Sequence, residues 1–222
     1  MARRWRIIPH DGEGIEHLAK RANISPLIAR ILLARGVVDP QHIAQYLEAR
    51  MDQLRDPELL PGLTNTADRL FEAVQAKKNI VVYGDYDADG MTASAILIRC
   101  LKLLGANVSY FVPNRFEEGY GLNEEALKTL KMRGKDVVVT VDCGVASLHE
   151  AVVCREIGLQ LFVTDHHQFG DALPDCDGLI HPGLPGYGYP FAGLCGAGVA
   201  FKLAWALCQR SCGTKRVTPD LK

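Results

Sequence analysis

Hydrophobic positions along the chain change their period near residue 76. Before it they recur at three and four spacing, as in SPLIARILLARG and DPQHIAQYLEARMDQL, which predicts helices. Ser25-Pro26 and Asp39-Pro40 are the expected helix starts, each a capping side chain followed by proline in the first turn. PELLPGLTNT, with two prolines and a glycine, predicts a connection to the next unit. Beyond it, short apolar runs alternate with amphipathic stretches. NIVVYGD, NVSYFVP, DVVVTVD and LQLFVTD predict four buried strands. Between them MTASAILIRCLKLL, NEEALKTLKMRG and SLHEAVVCREIG predict helices that stop at Gly105, Gly134 and Gly158, the last opening with a capping box from Ser147 to Glu150. GLIHP predicts a short fifth strand, and CGAGVAFKLAWALCQR a final helix entered through glycines.

Strands alternating with helices of about three turns imply right-handed βαβ units. The expected fold is therefore α/β, a parallel sheet with helices on both faces, over residues 77–222, preceded by a small helical extension over residues 1–76. In such a sheet ligands bind beyond the carboxyl ends of the strands. The polar clusters fall there: Asp85, Asp87 and Asp89 after the first strand, Asn114 and Arg115 after the second, Asp142 after the third, and Asp165, His166 and His167 after the fourth. Each has a bland reading. An aspartate after a strand caps a helix as readily as it binds anything, paired histidines are commonly surface residues, and Arg115 could pair with Glu117 or Glu118. Only their convergence on one rim argues for a site.

The chain has 222 residues, 48% of them hydrophobic, and a formal net charge of -1. That balance excludes the whole-chain basic footprint of a nucleic-acid coat protein, so a phosphate-bearing partner has to be gripped locally. The seven cysteines include no C-x-x-C pair, which argues against a zinc or redox site and for reduced thiols in the cytoplasm. No apolar run is long enough to span a bilayer, and the basic start lacks the apolar region of a signal peptide.

Three carboxylates on alternate positions repel one another unless a cation lies among them. At 4 Å and an effective dielectric of about 20, each pair of charges costs roughly 4 kcal/mol. Carboxylates with an imidazole suit Mn²⁺ or Mg²⁺ without excluding zinc or cobalt, and four or five carboxylates around one point call for two ions. Such a pair acidifies a shared water and clamps the oxygens of an in-line phosphoryl displacement, which points to hydrolysis of a phosphate ester or anhydride. DYDADG also matches the start of an EF-hand calcium loop. Its twelfth position is Ile96, not glutamate, and a strand-like run precedes it, so that reading is set aside. The glycines of GYG and of GLCGAG match no phosphate-loop pattern and are expected to serve turns and close packing.

GDYDADG, VDCG and TDHH, in that order, resemble the DHH phosphoesterase superfamily. VPNRFEEGYGL and LCGAGVAFKLAWAL extend the resemblance to its RecJ-type branch of single-stranded-DNA-specific 5′→3′ exonucleases, over nearly the whole chain. The resemblance implies that Asp87, Asp89, Asp142 and His166 hold two Mn²⁺ or Mg²⁺ ions, with Asp142 bridging them as part of the catalytic centre. It implies that Asp85 shapes the loop or holds metal-bound water, and that Asp165 orients the neighbouring imidazole. His167 would contact the scissile phosphate and steady its developing charge, and Arg115 would hold a substrate phosphate. Single-stranded DNA is the implied partner, with a single-strand-binding protein and a helicase beside it. Chains of this branch continue into a further acidic ligand and further domains. The present chain therefore corresponds to their N-terminal part, and little activity is expected of it alone. Two other readings stay open: a DHH phosphodiesterase acting on oligoribonucleotides or cyclic dinucleotides, and a non-catalytic DHH binding module.

Overall fold

The computed structural model of the protein describes residues 11–48, 50, 53–113 and 121–217. The chain forms two compact units, Met1–Arg55 and Asp56–Lys222. In the first, helices α1 (Gly12–Ala22), α2 (Pro26–Ala34) and α3 (Pro40–Leu47) enclose a small core of Leu18, Ala19, Ala29, Leu32 and Ile43. Both expected helix starts form as read. The Ser25 hydroxyl accepts the Ile28 N–H, and the Asp39 carboxylate accepts those of Gln41 and His42. Each such cap contributes about 1 kcal/mol.

The second unit begins with a 3-10 turn at Pro57–Leu59 and helix α4 (Leu63–Gln75). Strands β1 (Asn79–Gly84), β2 (Asn107–Phe111), β3 (Val137–Val141), β4 (Gln160–Thr164) and β5 (Gly178–Ile180) follow, interleaved with helices α5 (Ala88–Leu103), α6 (Glu124–Met132) and α7 (Leu148–Glu156), and α8 (Gly196–Cys212) ends the series. All strand pairs are parallel, in the order β2-β1-β3-β4-β5. This is the α/β fold the alternation implied, with its small helical N-terminal segment. Successive strand residues point to opposite faces. Ile80, Val82, Val137 and Val139 accordingly pack with α4, α5 and α8, while Val81, Tyr83, Val138 and Leu161 pack with α6 and α7. The chain leaves β1 toward β2 and returns to β3 on the other side of β1. That reversal is the crevice where open parallel sheets bind ligands.

Two expectations change. Residues 56–76, read from the prolines and glycine around Pro61 as the end of the helical extension, belong to the sheet unit. Leu63, Ala67, Leu70, Ala73 and Val74 of α4 are buried in the same cluster as Ile80 and Leu203. Leu70→Ala should therefore destabilise the sheet unit by about 2–5 kcal/mol, as other buried leucine truncations do. Urea unfolding followed by circular dichroism checks this, and an unchanged midpoint would show that α4 is not part of that core. The second change is the capping box, which does not form. Ser147, at ψ 63, lies outside the extended region of a capping residue, and its side chain makes no cap hydrogen bond. The turn before it is closed by the backbone instead, with the Ser147 N–H donating to the Gly144 carbonyl at 3.1 Å.

Candidate metal centre

The first acidic loop is shaped by its own hydrogen bonds. Asp85, 4% exposed at the end of β1, accepts the Tyr86 N–H at 2.7 Å. Asp87 caps α5, its Oδ1 taking the Gly90 N–H at 2.9 Å. Gly90 is required because a Cβ there would stand 2.6 Å from the Asp85 Cβ and 2.7 Å from its carbonyl oxygen. Asp89, in the first turn of α5, points at the start of α8. Its two oxygens accept the N–H groups of Gly196 at 2.8 Å and Ala197 at 2.7 Å. Burial pushes the Asp89 carboxyl up, but the Ala197 and Gly196 amides, then Cys195 and His166, outweigh it and hold the pKa below the ordinary value. An anion on the first amides of a helix is in the favourable field of the helix dipole.

Asp142 follows β3 with φ 63, the left-handed region that a non-glycine residue occupies at a cost of roughly 1–2 kcal/mol. It is 1% exposed. Burial first, then the negative charge of Asp89, push its pKa up to about 7 against the opposing pull of His167, with Asp87 and Asp165 adding to the rise. The start of α8 lies so close that a Cβ at Gly196 would sit 2.3 Å from Asp142 Oδ1.

After β4, buried Asp165 organises both histidines. Its Oδ1 accepts the N–H groups of His166 at 2.7 Å and His167 at 3.1 Å, and lies 2.8 Å from His167 Nδ1. Its Oδ2 accepts the Val145 N–H at 2.9 Å. Burial opposes the charged form of His167, yet the Asp165 hydrogen bond and the surrounding carboxylates raise its pKa above the ordinary imidazole value. His166 Nε2 stands 3.0 Å from Asp142 Oδ1 and 3.6 Å from Asp89 Oδ2.

Two sets of donor atoms each lie within 4.8 Å of one another: Asp85, Asp87 and Asp142, and Asp142, His166 and His167. Asp142 belongs to both. Geometry alone thus groups Asp85, read from the resemblance as support, more directly with Asp87 than it does Asp89, whose oxygens already serve α8 and which joins through His166. Each carboxylate oxygen retains a second lone pair, so Asp89 can still coordinate. Arg115 lies outside the described residues. The donors are oxygen and imidazole nitrogen, the hard set that Mn²⁺ and Mg²⁺ take. Adjacent ligands of an octahedral ion with bonds of about 2.1 Å stand about 3 Å apart, the spacing between His166 and Asp142.

Sequence reasoning missed three contributors. The Gly196 and Ala197 amides reach the site from α8, more than a hundred residues beyond Asp89. Buried Thr140 and Thr164 tie β3 to β4 beneath it, the Thr164 hydroxyl donating to the Thr140 carbonyl at 2.7 Å. His181, just past β5, is 4% exposed and lies 2.8 Å from the His167 carbonyl oxygen through its Nε2. A hollow of about 340 Å³ opens beside the histidines, lined by His166, His167, Gln168, Phe169, His181 and Ala192 among others. A second, of about 360 Å³, lies against the beginning of β4, and its Arg69 and Arg155 are already paired with Asp177 and Asp175.

Because Asp165 holds two amides and a ring of the histidine loop, Asp165→Asn should lower Mn²⁺ affinity or hydrolysis about 10–100-fold, the usual effect of losing a ligand's supporting partner. Isothermal titration with Mn²⁺ reads the first and a turnover assay on the intact protein the second; wild-type values in both would remove that role.

An open parallel sheet with a carboxylate and imidazole cluster at its switch point defines a class of α/β proteins with a hard-metal centre. Within it the chain belongs to the DHH family, since the family model described as "DHH family, N-terminal domain" matches residues 79–221. The chain is 42% identical over 204 residues to the single-stranded-DNA-specific exonuclease RecJ of Bacillus subtilis (strain 168), covering 92% of this chain and 26% of that one. It is similar to the crystal structure of an exonuclease RecJ bound to manganese, with 42% identity, a TM-score of 0.61, and coverage of 70% of this chain and 39% of that one. It also matches RecJ in complex with Mn²⁺ from Thermus thermophilus, at 32% identity and a TM-score of 0.69, over 91% of this chain and 28% of that one. The chain thus spans about a quarter of the length of the Bacillus relative. No helix among the described residues is long and apolar enough to cross a membrane.

Proposed function

We propose that this chain carries the catalytic centre of a two-metal nuclease that removes 5′-mononucleotides from single-stranded DNA in the 5′→3′ direction. The observation that carries the proposal is the placement of buried Asp142 in both donor groups, where one carboxylate can serve two ions. The likeness to RecJ proteins, some solved with manganese, supports the choice of substrate and of Mn²⁺ or Mg²⁺. Asp87, Asp89, Asp142 and His166 would hold the two ions, with Asp85 within reach of the first group. Bound there, they would supply Lewis acidity to water and to a phosphate oxygen.

The remaining work falls to this chain's own residues. A carboxylate only accepts hydrogen bonds, so His167 donates its Nδ1–H to Asp165, which fixes the ring and favours its cationic form. A ring fixed beside the hollow with its charged form favoured would steady the charge that a phosphodiester gains as it is attacked. Asp165 spends its oxygens on the loop and so acts as support. Arg115 would grip a neighbouring phosphate. A single-strand-binding protein and a helicase are the companions of such an activity, and the cytoplasm its place.

Metal binding must displace the proton of Asp142, whose carboxyl titrates near pH 7. Mn²⁺ should therefore raise the melting temperature of the chain more at pH 8 than at pH 6, which differential scanning fluorimetry checks. An equal shift at both would remove Asp142 from the binding set. Function is tested on the intact protein with linear and circular single strands. Release of 5′-mononucleotides from the linear strand alone, dependent on Mn²⁺ or Mg²⁺, is the expected outcome. Faster hydrolysis of short oligoribonucleotides or cyclic dinucleotides would replace the DNA assignment, and no hydrolysis at all would favour a binding module.

A further inference from the structure

We propose that His181 is a positioning residue for His167, acting through the His167 main-chain carbonyl. Its catalytic consequence rests on the function proposed above; its structural content does not. β5 is a three-residue strand at the sheet edge, paired with β4. The pairing continues one step further, with the Asp165 N–H donating to the Ile180 carbonyl at 3.1 Å. There the two chains part, and the next residue on the β5 side is His181.

Its ring spans the gap that opens. A carbonyl only accepts and a backbone N–H only donates. His181 Nε2 therefore donates to the His167 oxygen at 2.8 Å, while Nδ1 accepts the Gly183 N–H at 2.9 Å. Both nitrogens are used, which assigns the neutral form with its proton on Nε2. Phe169, two residues beyond His167, packs edge-on against the same ring at 4.9 Å between centroids.

His167 is consequently held at its N–H, at its ring and at its carbonyl. Asp165 takes its N–H and its ring Nδ1, and His181 takes its carbonyl. The first two come from the residue's own loop. The third holds the His167 carbonyl itself, from the residue that follows β5, so without it the peptide after His167 can rotate and carry the ring with it. A side chain that must meet a phosphate within about 0.5 Å does not tolerate such rotation.

The bland alternative is a buried histidine that merely closes the His181–Gly183 turn. Substitutions separate the two. In His181→Gln the side-chain amide nitrogen reaches the place of Nε2 and can keep the bond to His167. In His181→Asn the oxygen takes the place of Nδ1 and keeps only the turn, and His181→Phe keeps neither. For the intact protein on single-stranded DNA, kcat should fall about 10-fold in His181→Phe and His181→Asn, with KM little changed, and recover in His181→Gln.

A second readout needs no turnover. In ¹⁵N-¹H spectra of this chain, the His167 ring N–H bonded to Asp165 should be protected from exchange in wild type and His181→Gln and lose that protection in the other two variants. If His181→Phe leaves both the ring signal and kcat as in wild type, or if Asn restores them and Gln does not, the positioning role is wrong. If the intact protein hydrolyses nothing, the functional reading fails by itself and the ring signal still decides the role of His181.

Discussion

Asp142→Asn is expected to reduce hydrolysis by the intact protein more than about 100-fold, beyond the usual loss for a residue that only supports a ligand. Asparagine keeps the size of the side chain and is, with aspartate, among the residues that tolerate a positive φ, so the backbone at 63° has no reason to move. What is lost is the negative charge common to both donor groups. The same change should stabilise the metal-free fold. Asp142 has a folded pKa of about 7 against an ordinary value of 3.8, so the folded state holds a proton that the unfolded chain releases. The stability tied to that proton is complete at acid pH and is lost as pH rises from about 4 to about 7. Metal-free Asp142→Asn should therefore melt above wild type at pH 8, with the gap closing toward pH 4. A variant that is less stable at pH 8 and still active would contradict both halves of this account.

Gly196→Ala is the second large effect expected. A methyl group there would lie 2.3 Å from Asp142 Oδ1 and 2.5 Å from its carboxyl carbon, inside contact distance of a buried group. The neighbours have little room to yield, because Asp142 is held on a left-handed backbone and the Gly196 N–H is bonded to Asp89. Helix α8 must back away, which should cost about 1–3 kcal/mol, as overpacking does, and withdraw both amides from Asp89. Mn²⁺ binding should be lost with it. Gly193→Ala is the matched control, since nothing lies within 4 Å of a Cβ there. Calorimetric Mn²⁺ titration of the two variants checks the pair, and equal affinities would mean that the approach of α8 does not shape the site.

The parallel sheet was legible in the sequence because Val137–Val141 and residues 80–84 are buried on both faces and so read as mainly apolar runs with no polar alternation. The rim was legible because Asp85, Asp142 and Asp165 each directly follow a strand, and strand ends share one side of a parallel sheet. Features that depend on distant packing were not. Asp89 looks no different from Asp87 along the chain, yet Asp87 caps its own helix while Asp89 binds the start of another. GLCGAG reads as glycines for turns and close packing, and Gly196 does pack closely, but its partner, the carboxylate that follows β3, is set by the fold. His181 follows a three-residue strand and precedes a proline, which reads as an ordinary strand end. Pro57 and Pro61 suggested a linker, but they flank a turn that leads into the buried helix α4.

Asp142 is proposed here as the carboxylate common to a two-metal centre. That role is tested most directly by anomalous diffraction at the manganese absorption edge, from crystals of the chain grown with Mn²⁺. Two manganese ions are expected at bonding distance, about 2.2 Å, from Asp142, one of them also bonded to His166 Nε2. A single ion there, or manganese bound elsewhere on the chain with Asp142 outside its coordination, would contradict it.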